Sequence, residues 1–221
     1  MASYFTLTLD TLAPSGVSIA VHGGILYTPS TEIQVDISCS DADKSGYTMK
    51  IWGSVDGATT ESQAQWQAYS ATKIINLTSG DGLKTIYCKV RDAVWNETSA
   101  VSTTITLNTD IPVVTITGPD VDIISLISGK NTSIMNFTAS SIFDEYKVKL
   151  VPASNSAHDA GVVIGTVGGS SNTSGSAGNY PADTNIQVTI KGSDLQTAAG
   201  GSDGSYIIKT FVKNKAGTWS T

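Results

Sequence analysis

The chain has 221 residues, enough for one large domain or two of ordinary size, and its 40% hydrophobic content can fill real cores. Lys and Arg number 13 against 19 Asp and Glu, for a net charge of -6 and a pI near 4.7, so no basic face is available for phosphates and nucleic acid is disfavoured as a partner. No apolar run approaches the roughly 20 residues of a membrane helix, and the first ten residues lack a basic start and a long apolar stretch. Neither a signal peptide nor a membrane contact is expected.

Residues 4–9, Tyr-Phe-Thr-Leu-Thr-Leu, alternate in polarity and precede Pro14. A half-buried strand is predicted over 32–39, where Ile33, Val35, Ile37 and Cys39 share one face. Asp41, Asp43 and Gly46 supply a turn, and Tyr47, Met49 and Ile51 form the inner face of the next strand. Strands follow at 72–77, around Ile86, Cys88 and Val90, and at 99–107, with an Asp81-Gly82 turn before the second of these. A second set begins at 113–117 and continues over 133–139, through Tyr146, Val148 and Leu150, then Ile186, Val188 and Ile190, and from Asp203-Gly204 to Asn214. Tyr146, Val148 and Leu150 are matched to Tyr47, Met49 and Ile51, and no segment shows a convincing helical period. The predicted class is all-β, in two tandem two-sheet sandwiches.

An internal repeat supports the count of two. Thr8-Leu9-Asp10-Thr11-Leu12-Ala13-Pro14 returns as Thr106-Leu107-Asn108-Thr109-Asp110-Ile111-Pro112. The expected organisation is an N-terminal strand over 1–9, a first domain over 10–109 and a second over 110–221 carrying a Gly/Ser-rich insertion at 152–184. Within the insertion, 162–167 is a strand candidate and 168–175 a Gly, Ser and Asn-rich tip, read as a hairpin or surface loop or a plain spacer. The second domain is expected to lack its own last strand, and residues 4–9 resemble the strand that closes the first. Tyr4, Phe5, Thr6, Leu7, Thr8 and Leu9 are therefore a candidate interface, pairing with their own first domain or donated to another copy.

Residues 11–19, Trp66-Gln67-Ala68-Tyr69 and the run from Gly80 to Ala93 resemble the bacterial immunoglobulin-like modules of phage virion and bacterial surface proteins. The resemblance covers nearly all of 10–108 and is weaker in the second half. It implies a structural protein of a virion (capsid decoration, tail or fibre-associated component), made in the host cytoplasm and contacting other virion proteins or copies of itself. A carbohydrate-binding or host-adhesion module acting on host glycans is the alternative.

Chemistry is sparse. His22 and His158 are isolated, and Glu32, Glu61, Glu97 and Glu145 are scattered, so neither an enzyme nor a cofactor is expected. Asp41, Asp43 and Asp92 lie in loops that often share one end of a sandwich and are weak Ca²⁺ candidates, or plain turn caps. Trp66, Tyr69 and Trp95, with Trp52, are a candidate glycan or protein patch, and Trp66 and Tyr69 equally fit packing over the sandwich edge. Cys39, Trp52 and Cys88 fall near the spacings of the antibody disulfide and its tryptophan, leaving open a disulfide or two small core thiols.

Overall fold

The computed structural model describes residues 3–165, 172–175 and 178–221. Two compact units divide between Leu107 and Asn108. Unit 1 contains β1 (Ser18–Val21), β2 (Tyr27–Thr28), β3 (Glu32–Ser38), β4 (Thr48–Gly53), β5 (Gln67–Ala68), β6 (Thr72–Asn76), β7 (Gly82–Arg91) and β8 (Val101–Leu107). One sheet has the order β1-β3-β6 and the other β2-β8-β7-β4-β5. Alternation sets the packing: Val35 and Ile37 from β3, Met49 and Ile51 from β4, Ile86, Cys88 and Val90 from β7, and Ile105 and Leu107 from β8 meet in one core.

Unit 2 contains β9 (Val114–Thr117), β10 (Thr132–Ala139), β11 (Glu145–Val151), β12 (Val162–Val163), β13 (Ser174–Gly175), β14 (Ile186–Lys191), α1 (Gly192–Ala198) and β15 (Ile207–Lys213). Its sheets are β14-β10-β9 and a second in which β15 lies on one edge of β11, and β12 and β13 on the other. Phe137, Phe143, Tyr146, Val148, Val188 and Val212 fill the core. Among the described residues no helix is long and apolar enough to cross a membrane.

The structure corrects three expectations. A helix exists: α1 spans seven residues, too few to display a period in sequence, and turns Leu195 and Ala198 against the core. The 152–184 stretch is more than a spacer, because β12 and β13 pair with β11, and Ile164 and Thr173 are fully buried. Its Gly-rich composition serves close approach at Gly161, where φ is +76° and a Cβ would lie 2.2 Å from the Leu150 carbonyl oxygen. The expected strand's end at Val167 and residues 168–171 of the tip lie outside the described residues. Finally, Tyr146 pairs with Val212 as Met49 pairs with Val90, which shifts the expected match between β11 and β4 by two residues.

That equivalence rests on a corner built twice. After β7, the Asp92 N–H donates to the Asn96 carbonyl at 3.3 Å, the Thr98 N–H to the Val90 carbonyl at 3.0 Å, and the Val90 N–H to Thr98 Oγ1 at 3.2 Å. After β15, Asn214 N–H donates to the Thr218 carbonyl at 2.9 Å, Ser220 N–H to the Val212 carbonyl at 2.8 Å, and Val212 N–H to Ser220 Oγ at 3.1 Å. Buried Asp92 and Asn214 each accept a bond from the N–H four residues on, at 2.9 Å in both units. Asn214→Ala removes the acceptor of that N–H and the amide bond to the Asp110 carbonyl, and is expected to cost unit 2 about 2–3 kcal/mol in urea denaturation, with Asn214→Asp costing less.

Candidate functional site

On the outer face of β4 and β7, Lys50 stands opposite Lys89 and Trp52 opposite Tyr87. Like charges directly across a ladder repel, and Glu61 offsets this by reaching both ammonium groups, at 2.7 Å from Lys50 and 2.8 Å from Lys89. Hydrogen bonds from Lys50 and then Lys89 hold the Glu61 carboxyl below its ordinary range. Trp52 stacks on Tyr87 at 5.6 Å, so this tryptophan covers the outer face and not the core. Arg91 donates from Nε to Thr48 Oγ1 at 2.9 Å, and its guanidinium lies 4.2 Å from the Trp66 ring centroid and 4.9 Å from that of Trp95. Lys50 adds a second cation 4.8 Å from Trp66.

The structure thus brings Trp66 and Trp95 together through Arg91 but separates Tyr69 from them. Tyr69 packs against the core and donates its hydroxyl to the Ile37 carbonyl at 2.9 Å. Trp66 is half-buried under its two cations, whereas Trp95 is 70% exposed in a left-handed conformation with φ of 72°. Such a conformation is unusual for a bulky residue, and here the Asp92 corner holds it. Lys50, Lys89 and Arg91 alternate outward on paired strands, a signal the sequence reading passed over, and Glu61 came from a loop that no period marks.

The three aspartates have separate duties. Asp41 accepts from Ser15 Oγ at 2.6 Å and Tyr47 Oη at 3.0 Å, and these bonds, Ser15 first, lower its pKa against the opposing effect of burial. Burial and Asp41 push the Tyr47 hydroxyl up to about 12. Asp43 caps its own turn through the Ser45 N–H at 2.8 Å, and Asp92 holds the corner. Among the described residues no group of three His, Cys, Asp or Glu side chains is arranged to hold a metal ion. Cys39 and Cys88 are both free thiols, which corrects the disulfide reading. The antibody arrangement also needs its tryptophan in the core, and Trp52 faces outward. Burial pushes the Cys88 thiol up to about 12 and raises Cys39 too, so neither thiolate is readily available.

In unit 2 the corresponding outer face is closed by His158 from the insertion. Its ring stacks on Trp219 at 3.6 Å and meets Phe211 edge-on at 5.6 Å, with Nε2 buried and unpartnered. Burial, then Lys149 and Lys147, lowers its pKa from the ordinary 6.5. His22, by contrast, lies at the surface 2.9 Å from Asp36.

The remaining feature is an edge. β7 is flanked by β4 and β8, whereas among the described residues β15 from Ile207 to Phe211 pairs with β11 and with no strand on its other edge. Ile116 of β9 pairs with Phe137 as Ile19 of β1 pairs with Ile37, yet Ile116 is 41% exposed and Ile19 only 6%. Beside the open edge lies a cavity of about 310 Å³, lined by Ile116, Met135, Ile190, Leu195, Tyr206 and Ile208. Residues 4–9 form no strand with unit 1, where β8 lines the edge of β7.

These features define an immunoglobulin-like β-sandwich chain. No family model and no curated protein matches the sequence. Among solved structures, a marsupial T cell receptor aligns at TM-score 0.50 and 11% identity over 89% of this chain and 67% of that one. The fibronectin(III)-like modules of Clostridium thermocellum CbhA align at 0.45 and 10%, over 92% and 89% of the two chains. The chitinase ChiA74 from Bacillus thuringiensis aligns at 0.33 and 12%, over 92% of this chain but 30% of that one. The receptor match establishes the fold alone.

Two outcomes follow from the site geometry. Trp66→Ala removes a half-buried ring and both its cation contacts and is expected to destabilise unit 1 by about 2–3 kcal/mol, whereas Trp95→Ala costs under about 1 kcal/mol, both measured by urea denaturation. For His158 the folded pKa lies below the unfolded value of 6.5, so the unfolded chain binds the proton more tightly and unit 2 loses stability as pH falls through 6.5. The urea midpoint of unit 2, followed by NMR signals of β11 and β15, should drop between pH 7.5 and 5.5 and become flatter in His158→Gln.

Proposed function

We propose that this chain is a non-enzymatic structural protein of a phage virion, a capsid-decoration, tail or fibre-associated component built from immunoglobulin-like modules that works through protein–protein contact. The observation that carries the reading is exposed apolar surface suited to protein contact, in unit 1 at Phe5, Leu7 and Leu9 and in unit 2 at the cavity lined by Ile116, Met135, Ile190, Leu195, Tyr206 and Ile208. The likeness of 11–19, 66–69 and 80–93 to phage and bacterial surface modules supplies the virion setting. The partners are other virion proteins or copies of the chain, after synthesis in the host cytoplasm. A second reading, a module that binds host glycans, is favoured by one observation, the exposed Trp95 ring held against Arg91.

An antibody raised against the chain should label phage particles released from the host that carries the gene, in negative-stain micrographs. Unlabelled particles would sink the virion reading. On a glycan array the chain is expected to be silent, and a signal abolished by Trp95→Ala would establish the second reading instead.

A further inference from the structure

We propose that residues 152–160 form an acid-released strap: protonation of His158 lifts the segment from the outer face of β11 and β15 and leaves the rest of unit 2 folded.

The strap is held at few points. It runs between two fixed ends, Val151, which is 3% exposed, and Ile164, which is fully buried. No residue from 152 to 160 is buried in its own right. Within the segment the Ser156 N–H donates to the Ala153 carbonyl and the Ala160 N–H to the Ala157 carbonyl, both at 3.1 Å, so these bonds travel with it. Contact with the sheet comes from the His158 ring on Trp219 and Phe211 and from two backbone carbonyls, that of Ser156 accepting from Lys209 at 2.8 Å and that of His158 from Lys149 at 2.6 Å. Those two lysines stand directly opposite each other on β11 and β15. In unit 1 the opposed Lys50 and Lys89 share the Glu61 carboxylate, whereas here neutral carbonyls meet the pair, so the points of attachment carry no charge.

Protonation works against this contact in three ways. Imidazolium donates from both ring nitrogens, and Nε2 is buried with no acceptor. The charged groups around the ring are mostly of its own sign: Lys147 and Lys149 on β11 and Lys209 and Lys213 on β15, against Glu145, which Lys147 and Lys213 already hold, and Asp159, which is exposed. A cation on an indole face is ordinarily favourable, but Trp219 already has the Lys147 ammonium 5.0 Å and the Lys213 ammonium 5.4 Å from its ring, so a third cation meets two in place. The lowered pKa of His158 has the same origin, burial first and then Lys149 and Lys147. The closed form therefore binds the proton less tightly than the released form, and release grows as pH falls through 6.5. Lifting the strap places the imidazolium in water at the loss of its ring contacts and two lysine hydrogen bonds. It also uncovers Phe211, fully buried in the closed form, among four lysines.

NMR of the full chain between pH 7.5 and 5 tests both halves of the proposal. The amides of 152–160 should gain fast motion, read as a fall in the heteronuclear NOE, and the His158 ring protons should lose the upfield shift that stacking on Trp219 imposes; the NOEs that pair β11 with β15 should stay. In His158→Gln the strap signals should not respond to pH over this range. Lys147→Gln removes a facing cation and should move the midpoint of release to lower pH. A strap that stays ordered at pH 5, release that persists in His158→Gln, an unmoved midpoint in Lys147→Gln, or loss of the β11 to β15 NOEs together with the strap would each overturn the proposal.

Discussion

Each strand here carries apolar side chains on one face, so every sheet must be covered on that face and every long edge must find a partner. In unit 1 β8 meets both demands, pairing along β7 while lowering Ile105 and Leu107 onto the core. Ile19 is buried as a consequence. In unit 2 the same core is assembled from β10, β11, β14 and β15, but the side facing Ile116 is left with a cavity. The insertion answers the demand only at the far edge of β11, where β12, Ile164 and β13 are added. One sheet edge thus explains why two units built to one plan differ in burial.

The corner after the penultimate strand shows how a geometry persists while its chemistry changes. Asp92 is acceptor-only, so the donor that reaches the Asp10 carbonyl must come from elsewhere, and Asn96 Nδ2 provides it at 3.3 Å while also bonding Asp92 Oδ2 at 2.8 Å. Asn214 carries its own amide donor and reaches the Asp110 carbonyl directly at 2.6 Å. A threonine then suffices at 218, where only its backbone is used. Burial opposes ionisation of Asp92, but the bonds from Asn96, Val94 and Trp95 outweigh it and hold the carboxyl below its ordinary value. These bonds also position the loop that presents Trp95.

Much of this was legible as period two. Ile33, Val35 and Ile37, or Ile86, Cys88 and Val90, alternate so cleanly that their shared burial follows from sequence. The all-β, two-sheet class followed from strand spacing and turn residues, and its immunoglobulin-like character from the resemblance over 11–19, 66–69 and 80–93. What was not legible has three physical causes. Alpha-helix α1 is too short for periodicity, and the β11 register is decided by a corner whose hydrogen bonds span residues of different identity. Of the candidate patch, Trp66 and Trp95 meet because Arg91 lies between them, whereas Tyr69 turns inward to bond Ile37. Spacing along the chain carries no information about which side of an edge a loop residue falls on. The Asp41, Asp43 and Asp92 grouping failed similarly, since each carboxylate is already occupied by nearby donors.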